Sequence, residues 1–327
     1  MIFCFNLQFL QAKCNITWKR CSDLPIKMHR GKVSVIDRKV YCGGGKTDVA
    51  NDMYTVYCYD PVQDNWSSLP PLPVRLFGLG EIGGKLVAVG GRRRNGDEIA
   101  DVVYTFDECS LQWKQTVPPM STPRWLPGIL SHKLALIVAG GFVPPGIITN
   151  IVEIFQHDTS QWYKTEPLLT PYTFCDVSLT TDGNLCYVLG GSTDRSCISK
   201  VYCASIDNLL CRAMPAADNN PMDSNTSDVH SGSAWKTLSN TPTYGPTSAT
   251  LAGNLLAIGG NKTAKGEINT KEVYMYSSST NSWIHVSDLP AQRSCTAVAV
   301  LLPADILVIG GRGESDFVNT VFKGTLH

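Results

Sequence analysis

The chain has none of the short motifs that usually betray an enzyme. There is no G-x-S-x-G elbow, no H-E-x-x-H pair and no phosphate-binding P-loop. The histidines at His29, His132, His157, His230, His285 and His327 are scattered, without metal-ligand spacing. It also lacks charge of one sign: Lys plus Arg equals Asp plus Glu, at 28 each, which removes any global pull toward nucleic acid or an anionic membrane. No apolar run reaches the ~18 residues that a spanning helix needs. The 12 cysteines form no C-x-x-C pair and no regular framework. Several, such as Cys42, Cys58, Cys186 and Cys203, alternate within apolar runs. That pattern reads as buried free thiols in a reducing, cytoplasmic setting rather than as disulfides. Of the N-x-[ST] sequons at Asn15, Asn65, Asn225 and Asn261, that at Asn65 adjoins a strand Trp and reads as chance. The apolar start, MIFCFNLQFLQAKC, lacks the basic flank and cleavage site of a secretory signal. Residues 1–14 are expected to be poorly ordered.

What the chain does have is glycine in pairs. Gly44-Gly45, Gly90-Gly91, Gly140-Gly141, Gly190-Gly191, Gly259-Gly260 and Gly310-Gly311 recur at steps of 46, 50, 50, 69 and 51 residues. A period near 50 is the mark of a repeat architecture. Each pair closes a short apolar run, such as KLVAVGG or ILVIGG, preceded by a turn and another apolar run, which makes a hairpin. A polar loop follows, then a strand opened by Val56, Val103, Val152, Val201, Val273 or Val321 with an aromatic soon after. A tryptophan strand comes next: Tyr59 and Trp66, Phe106 and Trp113, Phe155 and Trp162, and Tyr276 and Trp283 are each seven apart. Four strands per unit, six units and no helical periodicity predict an all-β, six-bladed β-propeller over residues 15–327. Gly78, Gly80 and Gly83 also spell G-x-G-x-x-G. They fall inside a hairpin, though, and a dinucleotide loop must open a helix, so no cofactor is expected.

The units resemble kelch repeats in the Gly-Gly pair, the strand-three aromatic, the strand-four Trp and an Arg opening several first strands. The resemblance covers nearly the whole chain. It breaks where Tyr172 and Tyr244 stand in place of the arginine, and where the fourth unit stretches from Gly191 to Trp235. The surplus, about residues 205–231, reads as a mobile surface loop, with LLCRAM as a possible short packed turn. The chain begins with a Trp strand around Trp18 and ends with three strands that lack one. The N-terminal strand is therefore expected to close blade six.

Loops joining strands two and three share a face with those leading into the next blade. The resemblance implies that this face binds partners. On it the expected contact residues are Arg75, Arg92, Arg93, Arg94, Arg124, Arg293, Arg312, Phe142, Tyr172 and Tyr244, with Arg30 beside them. Arginine and aromatics favour binding hot spots, and guanidinium forks suit carboxylates. The competing reading pairs the strand-one arginines with carboxylates inside the ring. The sequence thus points to a non-enzymatic interaction module, monomeric, taking a protein or acidic peptide, with no nucleic acid, membrane or metal. An adaptor working with a separate subunit, linked to a ubiquitin ligase or to actin, is one alternative. A metal-dependent enzyme on the same scaffold is another.

Overall fold

A run such as KLVAV, stopped by glycines and flanked by turns, forms the second strand of a four-stranded antiparallel sheet, and the same construction occurs six times. The computed structural model describes residues 15–49, 53–94, 98–170, 173–193, 196–215, 233–301 and 304–327. Blade one runs Lys32–Ile36, Lys39–Gly43, Val56–Asp60, Asn65–Ser68, and blade two Gly78–Ile82, Lys85–Val89, Val103–Asp107, Gln112–Lys114. Blades three to five repeat the order from Gly128, Thr173 and Thr247. Blade six takes Ala297–Leu301, Asp305–Ile309 and Val321–Leu326 from the C-terminal end, and its fourth strand, Ile16–Cys21, from the N-terminal end. The register runs from Ile16 opposite Leu326 to Cys21 opposite Val321, as the order of elements predicted. The first strands neighbour one another in a closed circle around a narrow central cavity of about 150 Å³.

The core is divided among the six gaps between blades. Each buried cluster draws on two adjacent blades: Tyr41 and Val56 of blade one meet Leu86 and Tyr104 of blade two, and Leu307 and Val321 of blade six meet Val40 and Tyr59 of blade one. The tryptophans bolt these gaps. Each packs in the gap to the preceding blade and donates its indole N–H across it. Trp66 reaches Ser22 O at 3.0 Å, Trp113 Pro70 O at 2.8 Å, Trp162 Pro118 O at 2.8 Å, Trp235 Glu166 O at 3.2 Å and Trp283 Ser239 O at 3.1 Å. Trp18 uses a side chain, Ser287 Oγ, at 2.9 Å. At two gaps the strand three–four turn adds a second bond: Asp64 accepts from the Ser22 amide and Asn281 from the Ser239 amide. The seven-residue aromatic–Trp spacing is a cross-strand pair, Tyr59 opposite Trp66 and Phe155 opposite Trp162. In blade six Gly324 takes the aromatic's place opposite Trp18, and a Cβ there would come within 2.7 Å of the indole ring.

The glycine pairs form the inner joint. Gly90 and Gly91 have φ of 64° and 107°. A Cβ on Gly90 would lie 2.3 Å from Arg124 O in the next blade, while the Gly91 amide donates to that same carbonyl at 2.8 Å. Gly310 and Gly311 repeat this against Met28 O, across the seam between blades six and one. Only a residue without a side chain satisfies both the positive φ and the close approach.

The insertion in blade four is more ordered at its start than a mobile loop. Ser205 caps a six-residue helix, Ile206–Cys211, which buries Ile206 and Leu209. Met214–Pro215 then pairs with Lys164 and Tyr163 as a fifth strand on blade three. Glu166 anchors the return: it accepts from Arg212 at 2.8 Å, from the Ala234 amide at 2.8 Å and from Ser233 Oγ. Burial alone would raise the Glu166 pKa, but these bonds outweigh it and hold the carboxyl below its usual range. The remainder of the expected loop, 216–231, and the N-terminal segment 1–14 lie outside the described residues.

Deleting residues 1–24 removes the fourth strand of blade six and exposes an unpaired edge; the product should be insoluble or melt well below the full chain. A stable, monomeric deletion product in size-exclusion chromatography and calorimetry would contradict this closure. Trp162 is 6% exposed, and Trp162→Ala should cost about 3–5 kcal/mol in denaturant unfolding. Trp113→Ala, at a more exposed indole, should cost less.

Candidate functional site

Two residues before the first strand of five blades, the backbone kinks into the left-handed region: Arg30 (φ 59°), Leu76 (55°), Leu126 (51°), Gly245 (57°) and Cys295 (53°). The kink turns the residues just before it onto one face of the ring. There they pair with the loop between strands two and three of the same blade. His29 lies opposite Lys46, Arg75 opposite Arg92, Trp125 opposite Phe142, Tyr244 opposite Asn261 and Ser294 opposite Arg312. The face expected from strand direction is therefore built of small two-stranded ladders.

Against this frame the four strand-opening arginines are not equivalent. Arg124 and Arg293 lie two residues before the kink, Arg75 one before it, and Arg30 at it. The first position is internal. Arg124 is 0% and Arg293 1% exposed, so both are withdrawn from the partner surface. Arg124 donates to Gly140 O and Ile151 O and is ion-paired with buried Glu153. Arg293 donates to Gly310 O, Thr320 O and Thr320 Oγ1 and lies over the Phe322 ring. Thr243 holds the same position in blade five and bonds Gly259 O at 2.9 Å. These side chains tie the strand two–three loop to its own blade. Burial lowers the Arg124 pKa against the opposing pull of Glu153, and brings Arg293 down to about 10.

Phe142 is also corrected: it is 6% exposed, its ring stacked on Trp125 at 4.3 Å. The Arg92 guanidinium lies 5.2 Å from the Trp125 ring, and that of Arg94 4.8 Å from Tyr54. Arg93 faces Glu98 at 3.6 Å. These residues form a surface running over blades one, two and three. Tyr244 is half-buried beside Asn261. Tyr172 lies outside the described residues.

The other side of the face holds a recess of about 570 Å³. Blades one, four, five and six wall it with Arg30, Lys46, Lys265 and Arg312, against one carboxylate, Asp316. Asp316 is ion-paired to Lys27 at 2.7 Å. Lys46, Lys265 and Arg312 are exposed, and no ion pair holds any of the three among the described residues. His29 is buried under Phe317, rings stacked at 3.8 Å, and neither ring nitrogen has a hydrogen-bond partner among the described residues. Burial, and then the charges of Arg30, Lys46 and Arg312, push its pKa down to about 3. Of the expected contact residues, Arg312 and the neighbouring Arg30 line this recess. Lys46 and Lys265 sit in the loops KTDVAND and NKTAKGE, which the strand order placed on this face, but their convergence has no local signal. His29 and Phe317 come from opposite ends of the chain and meet only when the ring closes. Among the described residues no group of three or more His, Cys, Asp or Glu side chains gathers as a metal site would require.

Arg124→Ala leaves Glu153 buried and unpaired and should cost about 3–5 kcal/mol of stability, whereas Arg312→Ala should leave the urea midpoint unchanged. His29 takes a proton near pH 3 when folded and near 6.5 when free. Between those values the unfolded chain binds more protons, so His29 lowers stability as pH falls through this window. His29→Phe should lose less stability than wild type between neutral pH and pH ~5 in matched urea titrations; an identical loss would contradict the burial of a neutral ring.

The Kelch motif family model matches residues 28–73, which is blade one with its leading loop. Kelch-like protein 40 of Xenopus tropicalis is 28% identical over 158 residues, covering 47% of this chain and 25% of that protein. Beta-scruin of Limulus polyphemus is 24% identical over 188 residues, covering 54% and 20%. The chain thus spans a quarter or less of the length of these two relatives. Among solved structures, one titled "Structure of YjhT" superposes with a TM-score of 0.69 at 14% identity, covering 94% of this chain and 99% of that one. No helix among the described residues is long and apolar enough to cross a membrane. With six Gly-Gly units, each with a strand-four Trp and four of them with the facing aromatic, arranged as six closed blades, the chain is a kelch-repeat β-propeller protein.

Proposed function

We propose that the chain is a non-enzymatic interaction module that presents its kinked-loop face to an acidic segment of a partner protein. The observation that carries this reading is the recess, where four cations face one carboxylate already held by Lys27. In an otherwise neutral chain, such a local excess steers and orients an anionic partner. The ladders fix the backbone behind Lys46 and Arg312, so their side chains are offered from a rigid frame. Arg92 and Trp125 on the far side, the indole backed by buried Phe142, extend the contact surface with flat, amphipathic groups. The names of these relatives carry no partner to this chain. We place the module in a reducing compartment as a monomeric ring; Cys42, Cys58, Cys186 and Cys203 are buried free thiols, as their alternating pattern predicted.

A peptide library scored for binding should return acidic sequences, and affinity should fall as salt rises. Arg312→Ala and Lys46→Ala should each weaken the best peptide by about tenfold, the equivalent of one charged hydrogen bond, with melting temperature unchanged. Selection of basic or apolar peptides, or full affinity in both variants, would overturn the reading.

A further inference from the structure

We propose that the blade-one and blade-six end of the recess is an oxyanion subsite that takes a phosphoryl group, with His29, Arg30, Lys46 and Arg312 as its donors. This deepens the proposed function and rests on the same face. Three observations converge on it.

The first is His29. Its side chain is nine-tenths buried and lines the recess, yet both ring nitrogens go without a hydrogen-bond partner among the described residues. Buried polar groups in folded proteins are paired almost without exception, and an unpaired one needs a reason. An oxyanion seated against the ring supplies the missing acceptor.

The second is the arrangement of charge around that ring. Lys46 is the ladder partner of His29, and Arg30 is its neighbour in the chain. Arg312 faces Phe317 across a backbone bridge, and Phe317 stacks on His29. Three cations from two blades therefore surround one imidazole. Asp316, the carboxylate facing the same space, is engaged by Lys27 from outside. A single carboxylate ligand would leave this cluster with excess positive charge. A phosphoryl group brings close to two negative charges and three acceptor oxygens, which match several converging donors.

The third is electrostatic reciprocity. The same cations that depress the His29 pKa would be neutralised by a bound dianion, so occupation favours a protonated ring that donates from both nitrogens. Stacking on Phe317 fixes the ring plane. No covalent step is involved.

The test is calorimetric titration of the full chain, at low salt and neutral pH, with three probes: inorganic phosphate, a neutral-flanked phosphoserine peptide and its unphosphorylated form. Phosphate and the phosphopeptide should bind competitively, and the unphosphorylated peptide should not bind. His29→Phe keeps the stack on Phe317 but removes both nitrogens. It should weaken both ligands by about tenfold, as should Arg312→Ala, while Lys85→Ala, exposed beside the strand one–two turn of blade two, should bind as wild type does. A tighter phosphopeptide identifies a modified partner and a tighter inorganic phosphate a free phosphate ester; either supports the subsite. No heat with either phosphorylated probe, or binding indifferent to His29→Phe in a variant that melts like wild type, would overturn it. If an acidic peptide still binds and loses affinity in Arg312→Ala while neither phosphorylated probe binds, the partner surface stands and the oxyanion subsite falls.

Discussion

Everything in this ring depends on the contact between one blade and the next. A four-stranded sheet cannot bury both of its faces alone, so stability comes from six gaps, each filled from two sides. A tryptophan closes all six gaps, and among the described residues three are closed a second time. At their inner end the pairs Gly90-Gly91, Gly259-Gly260 and Gly310-Gly311 let the backbone of one blade lie against that of the next, with an amide donating across. Toward the rim, a tryptophan fills the gap and donates its indole N–H back to the preceding blade. Both devices are short-ranged, and both fail if neighbouring blades separate by an ångström. Order in one gap therefore sets the geometry of the others around the circle.

The seam between blades six and one is where this coupling matters most. It adjoins blade six, where the strand around Trp18 joins the two ends of the chain, and it also carries the kinked-loop face from Leu24 to Lys46. The Leu24 amide bonds Asn319 O, Asn319 returns a bond to Leu24 O, and Lys27 pairs with Asp316. The same seam brings His29 under Phe317. Closure and the recess are thus one structural event: a ring with an open seam loses the cationic pocket along with its sixth gap.

The parts legible in the sequence were those with strict steric demands. Gly90-Gly91 and its counterparts permit no substitute at positive φ beside a neighbouring carbonyl, so they recur in register. Aromatic and Trp recur seven apart because they face one another across a hairpin. The strand-opening arginines were read as equivalent because they precede similar strands. The left-handed kink makes a shift of one residue change a side chain's surroundings entirely: Arg75 stands on the face while Arg124, one place earlier relative to the kink, is sealed against Glu153. No local pattern marks that difference. Lys46, Lys265 and Arg312 could be assigned to a face but not to one pocket, because that requires knowing which blades are neighbours across the ring. His29 carries no sequence signal at all, since its environment comes from Phe317 at the far end of the chain. The docking of Met214–Pro215 on blade three was equally hidden, because a two-residue strand has no periodicity.

The closed seam is tested most directly by hydrogen–deuterium exchange resolved along the chain. Strand Ile16–Cys21 should be protected to the same degree as its partner Val321–Leu326, and the two should open together under mild denaturant. Fast exchange across Ile16–Cys21 with full protection elsewhere would mean that blade six holds together without it, and the account of the ring and its recess would fail.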